Sequence, residues 1–384
     1  MKIIDRNMKK TVLTIAAGLF VSLAAFAQKG PENSDARMYY PQYGVSTRTE
    51  IAIPNIDGYV TLKADFHTHT MFADAQLSPE GRVGEAWCDG LDVICVSEHI
   101  GVHKSPGIHR FDHNLVTKRA MDAGKKYGMI VIPGAEITRE KPFGHMNAMF
   151  LSDCNVFAEE RYKWDENGNE MLGPDGKRIP MRETEIPDFE AAEKQGAFIQ
   201  WNHPGWPDNL CPLPEFHKKM IQEGRIHAVE IFNSYEWYPT VMDLMDEYGI
   251  TVTANSDAHE PIRNLYGDNL RPMNLIFAKE ATLESVKEAM FAGRMLAVWN
   301  NNVAGKKELL SQLVDKSLVV KKIDGKRVQV TNVSDICYTV LYADHTSPID
   351  FPARKSIIIK MNPGQVLNFI NCHTGRKTLE MSIY

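Results

Sequence analysis

Asp65-Phe66-His67-Thr68-His69 is the first run in this chain whose residue types and spacing could do chemistry. In an extended backbone, residues two apart project to the same side, so His67 and His69 can grip one metal ion from a strand end. An H-x-H pair alone is weak, because two exposed histidines meet by chance. Four further runs follow one rule. Residues 93–97 lead into Glu98-His99, 130–135 into Glu136, 197–202 into His203-Pro204, and 250–256 into Asp257-Ala258-His259. Each is an apolar run that ends in an ionisable group. Buried strand interiors exclude charge, so a charge at every exit needs a partner, and a shared metal cluster supplies one to all of them together. Independent solvated loop residues would explain one such exit but not the repetition.

The elements that must position these groups are readable as periodicity. Strand patterns occur at 61–67, 92–97, 129–135, 145–151, 197–202, 227–232, 250–255 and 273–278, with helical stretches between them. Ser78-Pro79-Glu80 combines a capping hydroxyl, a first-turn proline and an early acid, and Gly90 closes that helix. Thr282 can open the last helix of the series and Gly293 can end it. The alternation predicts an α/β fold with a mostly parallel sheet, and seven or eight repeats predict a closed or distorted barrel. In such barrels the site gathers at the C-terminal strand ends, where the ionisable groups lie. The barrel is expected over 61–298, after a polar lead-in at 28–60. Residues 162–182, with Glu166-Asn167-Gly168 and Pro174-Asp175-Gly176, read as a surface hairpin or flexible insertion. Strand-like segments at 317–322, 327–331, 338–343, 355–360 and 365–370, with no convincing helix, predict a small C-terminal β-sandwich over 299–384.

Composition narrows the function classes. The formal net charge is −6, without the basic surplus of a nucleic-acid binder, so no nucleic-acid partner is expected. Lys9 and Lys10 precede an apolar stretch at 11–27 that ends in Ala25-Phe26-Ala27. This is the pattern of a cleavable signal peptide over 1–27, cut near Ala27; the competing reading is a membrane anchor. The mature chain is expected to be periplasmic or secreted and free of the membrane. None of the six cysteines forms a C-x-x-C pair, which excludes a zinc ribbon. Cys95 reads as a buried thiol, and Cys337 and Cys372 are candidates to pair.

The order H-x-H, E-H, G-x-E, H-x-N (His145-Met146-Asn147), N-H-P and S-D-A-H resembles the PHP family, the polymerase and histidinol phosphatase superfamily, over about residues 61 to 280. The resemblance implies a distorted (β/α)7 barrel with a two- or three-metal site. It implies His67, His69, Glu136 and Asp257 around a first metal. Glu136, bridging, would hold a second with His145 and His203, and Asp74, His99 and His259 a third. The family's S-D-G is here Ala73-Asp74-Ala75, and its T-D-H is Ser97-Glu98-His99. Glu98 is expected behind the ligands as an acceptor, or near the substrate.

Imidazole and carboxylate donors suit two to three divalent transition metals, Zn, Mn or Fe. Such cations acidify a water and clamp phosphoryl oxygens, so the expected activity is phosphate ester hydrolysis by a metal-activated hydroxide on a small-molecule substrate. Asp257, His259 and Glu136 are the expected catalytic groups, and His103, Lys104 and Arg271 the expected substrate contacts. Trp201 and Trp206 flank His203 and read either as pocket lining or as core or lid residues. The export signal, the C-terminal β region and the run from Ala278 to Glu284 with Ala292-Gly293-Arg294 are similar to exported phosphodiesterases of the Sb-PDE type, which implies a phosphodiester substrate. Two other readings stay open. One is an exported metallohydrolase of a carbamate or carboxylic ester, separable by the richness of Arg and Lys at the mouth. The other is a non-catalytic binding module, which has no chemical need to keep nine ligands.

Overall fold

The computed structural model describes residues 47–384 apart from 101–110, 140, 142, 158–170, 178, 180–185, 208–209, 268 and 343–346. The expected signal segment, the lead-in as far as residue 46, and most of the 162–182 insertion lie outside these residues. Of the insertion, Gly173 N–H donates to the Lys177 carbonyl at 2.7 Å and Ile179 N–H to the Met171 carbonyl at 2.9 Å, which closes a hairpin turn. Residues 47–384 form one compact unit.

Nine strands carry the first part of this unit: β1 (Val60–Asp65), β2 (Val93–Val96), β3 (Ile130–Thr138), β4 (His145–Met149), β5 (Phe198–Trp201), β6 (Ala228–Asn233), β7 (Glu236–Trp237), β8 (Thr251–Asn255) and β9 (Met273–Ala278). β1, β2 and β3 are parallel neighbours, as are β5, β6 and β8. β4 pairs antiparallel with β3 and β5, and β9 antiparallel with β1. β2, β5, β6 and β9 are buried at every residue, as strands covered on both faces must be.

No backbone ladder joins β8 to β9 among the described residues. A side chain spans that seam instead. Ala254 N–H donates to Asn274 Oδ1 at 3.0 Å, and Asn274 Nδ2 donates to the Ala254 carbonyl at 3.0 Å. The amide copies one rung of a sheet and satisfies two buried backbone groups. The result is a distorted barrel whose interior is a band of amides. Asn147, Gln200, Asn255 and Asn274 are wholly buried. Asn274 donates to Asn255 at 2.8 Å, and Asn255 to Glu230 at 2.8 Å.

Local sequence explains the covering helices. Ser78 Oγ accepts from Gly81 N–H at 3.1 Å at the start of the helix Pro79–Cys88. Gly90 follows at φ +93°, and a Cβ there would stand 2.6 Å from the Thr49 carbonyl, so only glycine fits. Val83 and Ala86 of this helix, with Val116 and Ala120 of the helix His113–Tyr127, pack in one cluster with Ile94, Val131 and Leu275 of the sheet.

Beyond β9 the sheet continues through β10 (Met295–Trp299) and β11 (Asn302–Gly305). A helix, Lys307–Ser317, then precedes β12 (Leu318–Lys322), β13 (Arg327–Asn332), β14 (Tyr338–Tyr342), β15 (Ile349–Phe351), β16 (Ser356–Lys360), β17 (Val366–His373) and β18 (Thr378–Ser382). β11 pairs parallel with β17, while β12, β13 and β16 form a separate three-stranded sheet. Val330, Tyr338, Phe351 and Phe369 share one core with Leu296 and Val303, so this β region is continuous with the barrel rather than appended to it. The helix corrects the expectation that none occurs after residue 300. Leu309, Leu310, Leu313 and Val314 bury its inner face, but the residue before it is Lys306, which makes no side-chain cap bond. The start signal that sequence reasoning uses is therefore missing.

Cys337 and Cys372 are also corrected: all six cysteines are free thiols. Cys372 is buried in the apolar core while Cys337 is only partly covered. No helix of the described residues is long and apolar enough to cross a membrane.

Candidate metal centre

β1 ends where the H-x-H run begins, and His67 and His69 are wholly buried. Their Nε2 atoms converge on one oxygen, Asp257 Oδ1, at 3.2 and 3.0 Å. Glu136, carried by β3, lies among four imidazoles. Its Oε1 is 3.2 Å from His67 Nε2, 3.2 Å from His145 Nδ1 and 3.6 Å from His203 Nε2. Its Oε2 faces His99 Nδ1. Asp74 Oδ1 stands 3.5 Å from His99 Nε2 and 3.0 Å from His259 Nε2.

Four groups of ligand atoms result, each with its atoms within 4.8 Å of one another. They are His67, His69 and Asp257; His67, Glu136 and His203; His99, Glu136 and His145; and His69, Asp74, His99 and His259. The structure thus brings together every residue expected to hold a metal. The groups overlap more than the implied sets do, since His69 also approaches the Asp74 group and His99 the Glu136 group.

The electrostatics follow from this crowding. Burial alone would raise Glu136 and Asp257, but the surrounding imidazoles hold both well below the usual carboxylate range. His145, His99 and His67 act on Glu136, and His67, His69 and His203 on Asp257. Burial, with His99 beside it, pushes His69 down to about 3. A neutral imidazole keeps a lone pair for a cation. The fit to divalent cations rests on His67 Nε2 and His69 Nε2, which have no hydrogen-bond partner and face carboxylate oxygens. Lone pairs set against lone pairs in a buried site are reconciled by a shared cation.

Backbone strain marks the same place. His203 has φ +25° and Asp257 φ +50°, uncommon for residues with a Cβ. Both are over-determined. His203 N–H donates to Glu230 at 2.7 Å, and His69 N–H to the Ala258 carbonyl at 3.1 Å.

Among solved structures, a two-domain protein from Bacteroides vulgatus containing a predicted PHP-like metal-dependent phosphoesterase matches with a TM-score of 0.75 at 29% identity. The match covers 88% of this chain and 98% of that one. The chain is thus similar, over most of its length, to a PHP-like metal-dependent phosphoesterase. Weaker likeness extends to an amidohydrolase from Chromobacterium violaceum (13% identity, 53% of this chain and 89% of that one, TM-score 0.38). It also extends to the lesion-specific endonuclease Q of Pyrococcus furiosus (16% identity, 64% and 59%, TM-score 0.38). No protein-family model and no curated protein matches the sequence.

Several residues of this site escape sequence reasoning. Glu230, wholly buried on β6, accepts from His67 Nδ1 at 2.9 Å, Asn255 at 2.8 Å and Asn233 at 2.8 Å. Asn202 donates to Glu136 Oε1 at 2.9 Å, and the Thr138 hydroxyl to Glu136 Oε2 at 2.9 Å. Arg82 ties two ligand loops together, donating to the carbonyls of His69 at 3.0 Å and Ala258 at 2.9 Å. A lone acid in an apolar strand and an arginine on an apolar helix face were the available signals.

The expected substrate contacts fare differently. His103 and Lys104 lie outside the described residues. Arg271 does not reach the pocket. It is buried, donates to Asp65, and meets Asp89 at 2.9 Å, so its charge is spent inside the fold. Asp65 in turn accepts from the backbone N–H of His67 at 3.1 Å, which makes the pair a brace for the H-x-H strand end. Glu98 is buried and lies off the cavity wall. Burial holds its carboxyl high, at about 7, despite Thr70 beside it.

The candidate metal site opens into a cavity of about 950 Å³. Asp74, His99, His145, His203, Asp257 and His259 form its inner end, and Phe143, Trp206, Tyr235 and several prolines its walls.

Proposed function

We propose that this chain is a metal-dependent phosphoesterase. The observation that carries the proposal is the approach of His67 Nε2 and His69 Nε2 to Asp257 Oδ1, with Glu136 central to three further imidazoles. His67, His69, Glu136 and Asp257 would hold one cation, Glu136 with His145 and His203 a second, and Asp74, His99 and His259 a third. Bound cations there would counter phosphoryl charge and acidify a water.

The chain's own residues supply orientation and proton handling. Glu230 keeps a proton on His67 Nδ1 and so leaves Nε2 bare toward the site. The Asp257 carbonyl accepts from His259 Nδ1 at 2.8 Å, which turns Nε2 of that ring toward Asp74. In hydrolysis a water oxygen bonds to phosphorus, the ester P–O bond breaks, and the alcohol leaves with a proton. Asp257 and His259 line the cavity and are within reach to pass that proton. Glu136 is wholly buried behind them, which suits ligation rather than proton transfer.

A diester is the favoured substrate, because the similarity to exported PHP phosphodiesterases supports it. The basic, apolar and A-x-A start supports export, with no nucleic-acid or membrane partner. A second reading has its own support. Among the described residues of the cavity wall the cations are Arg139, whose Nη2 is bound to Asp188 at 2.7 Å, and Lys141. So few cations also suit an uncharged carbamate or carboxylic ester.

Elemental analysis with bis(p-nitrophenyl) phosphate, p-nitrophenyl phosphate and a nitrophenyl carboxylic ester decides. Two to three transition metals per chain and turnover of a phosphate ester are expected. Turnover confined to the carboxylic ester selects the second reading, and a metal-free chain as purified favours a binding module.

A further inference from the structure

We propose that the phosphate ester bound here carries a flat aromatic substituent, seated against Trp206. The inference rests on the phosphoesterase reading and names the class of ester. A cavity of about 950 Å³ is far roomier than a phosphoryl group needs. Beyond the ligands, its walls are Phe143, Trp201, Pro204, Trp206, Pro207 and Tyr235, among others. Such walls recognise shape and π faces rather than charge.

Trp206 is 49% exposed, although large aromatic rings are ordinarily well covered. It is also fixed. Its backbone N–H donates to the His203 carbonyl at 3.0 Å, so the ring rides on the same turn as a candidate ligand. Its ring centre lies 5.5 Å from both His145 and His203. A phosphorus held at these histidines therefore puts the first atoms of any ester substituent within reach of the indole.

Tyr235 supplies a second platform. It is 62% exposed, yet its hydroxyl donates to the Leu265 carbonyl at 2.9 Å and its ring packs 5.7 Å from Tyr266. Two water-exposed rings line one cavity beside the candidate metal ligands, one held through its backbone turn and the other through its hydroxyl, and together they offer faces to a flat apolar guest.

The test is calorimetric titration of metal-loaded protein with phenylphosphonate and methylphosphonate, which needs no turnover. Phenylphosphonate should bind about tenfold more tightly, the size of one good aromatic contact. Trp206→Ala should erase that preference, while Trp206→Phe should keep most of it and so guard against a merely misfolded variant. Equal affinities in the wild type, or a preference that survives Trp206→Ala, would overturn the seating of an aromatic group against Trp206. Failure of both phosphonates to bind is a different result: it removes the phosphate-ester reading itself, and this inference with it.

Discussion

Glu230 Oε1 lies 2.9 Å from His67 Nδ1, and both side chains are wholly buried. Glu230 also accepts from Gln200, Asn233, Asn255 and the His203 backbone, so one carboxylate aligns two candidate ligands from different strands. Partners that orient a ligating imidazole typically carry a 10- to 100-fold effect on metal affinity or activity. Glu230→Gln should therefore lower metal affinity by roughly that factor. Competition against a chelator measures it, and unchanged affinity would leave Glu230 a packing residue.

Removing the ligands themselves should be harsher. His67→Ala and Asp257→Ala each take a group from the centre of the cluster, and turnover should fall by about three orders of magnitude or more, as when a charge-stabilising group leaves an active site. Dialysis against a chelator should reproduce the loss in the wild type, and added divalent metal should restore it. Residual activity near wild type in both variants would place the chemistry elsewhere.

Arg82 predicts a combined defect. It is buried, bound to Glu85 at 2.6 Å and to the carbonyls of His69, Ala258 and Glu260. Arg82→Met leaves Glu85 and three carbonyls without that partner, and breaking a buried pair costs about 3–5 kcal/mol. Urea unfolding should show a loss of that size, accompanied by weaker metal retention, because the loops of His69 and His259 lose their tie. A stable variant with full metal content would refute the clamp.

The β8–β9 seam offers a test of the fold. Asn274→Leu preserves volume but strips the Ala254 N–H and carbonyl of their partners, at about 1–3 kcal/mol for each buried group left unsatisfied. A lower urea midpoint with unchanged slope is expected. An unaffected midpoint would mean that the strands close without this amide.

His217 sets a pH dependence away from the cluster. Burial among Trp201, Phe143 and Phe216 pushes its pKa down to about 4. The unfolded chain takes up the proton near 6.5, so it binds more protons than the folded chain between those values. Stability is therefore complete above about pH 6.5 and falls as pH drops toward 4, by up to about 3 kcal/mol. His217→Phe should flatten this acid limb in urea titrations at pH 7.5 and 5, and an equally steep limb in the variant would acquit His217.

Much of this protein was readable residue by residue. His67, His69, His99, His203, Asp257 and His259 stand just beyond β1, β2, β5 and β8, where charge can leave a buried strand, and that rule is local; Glu136 lies inside β3 and His145 opens β4, so those two depend on the fold. The eight strands that ring the barrel and the capped helices Pro79–Cys88 and Leu283–Phe291 follow from periodicity and from Ser78 and Thr282, again local signals. The helix Lys307–Ser317 was hidden because it lacks such a cap.

What only tertiary structure decided concerns partners far apart in the chain. Arg271 looked available at a loop, yet Asp65 lies 206 positions away and claims it. Glu230, on β6, meets His67 from 163 positions away, a partner that no local pattern names. A buried charge must find its counterpart somewhere in the fold, and periodicity shows that the need exists without naming the residue that meets it.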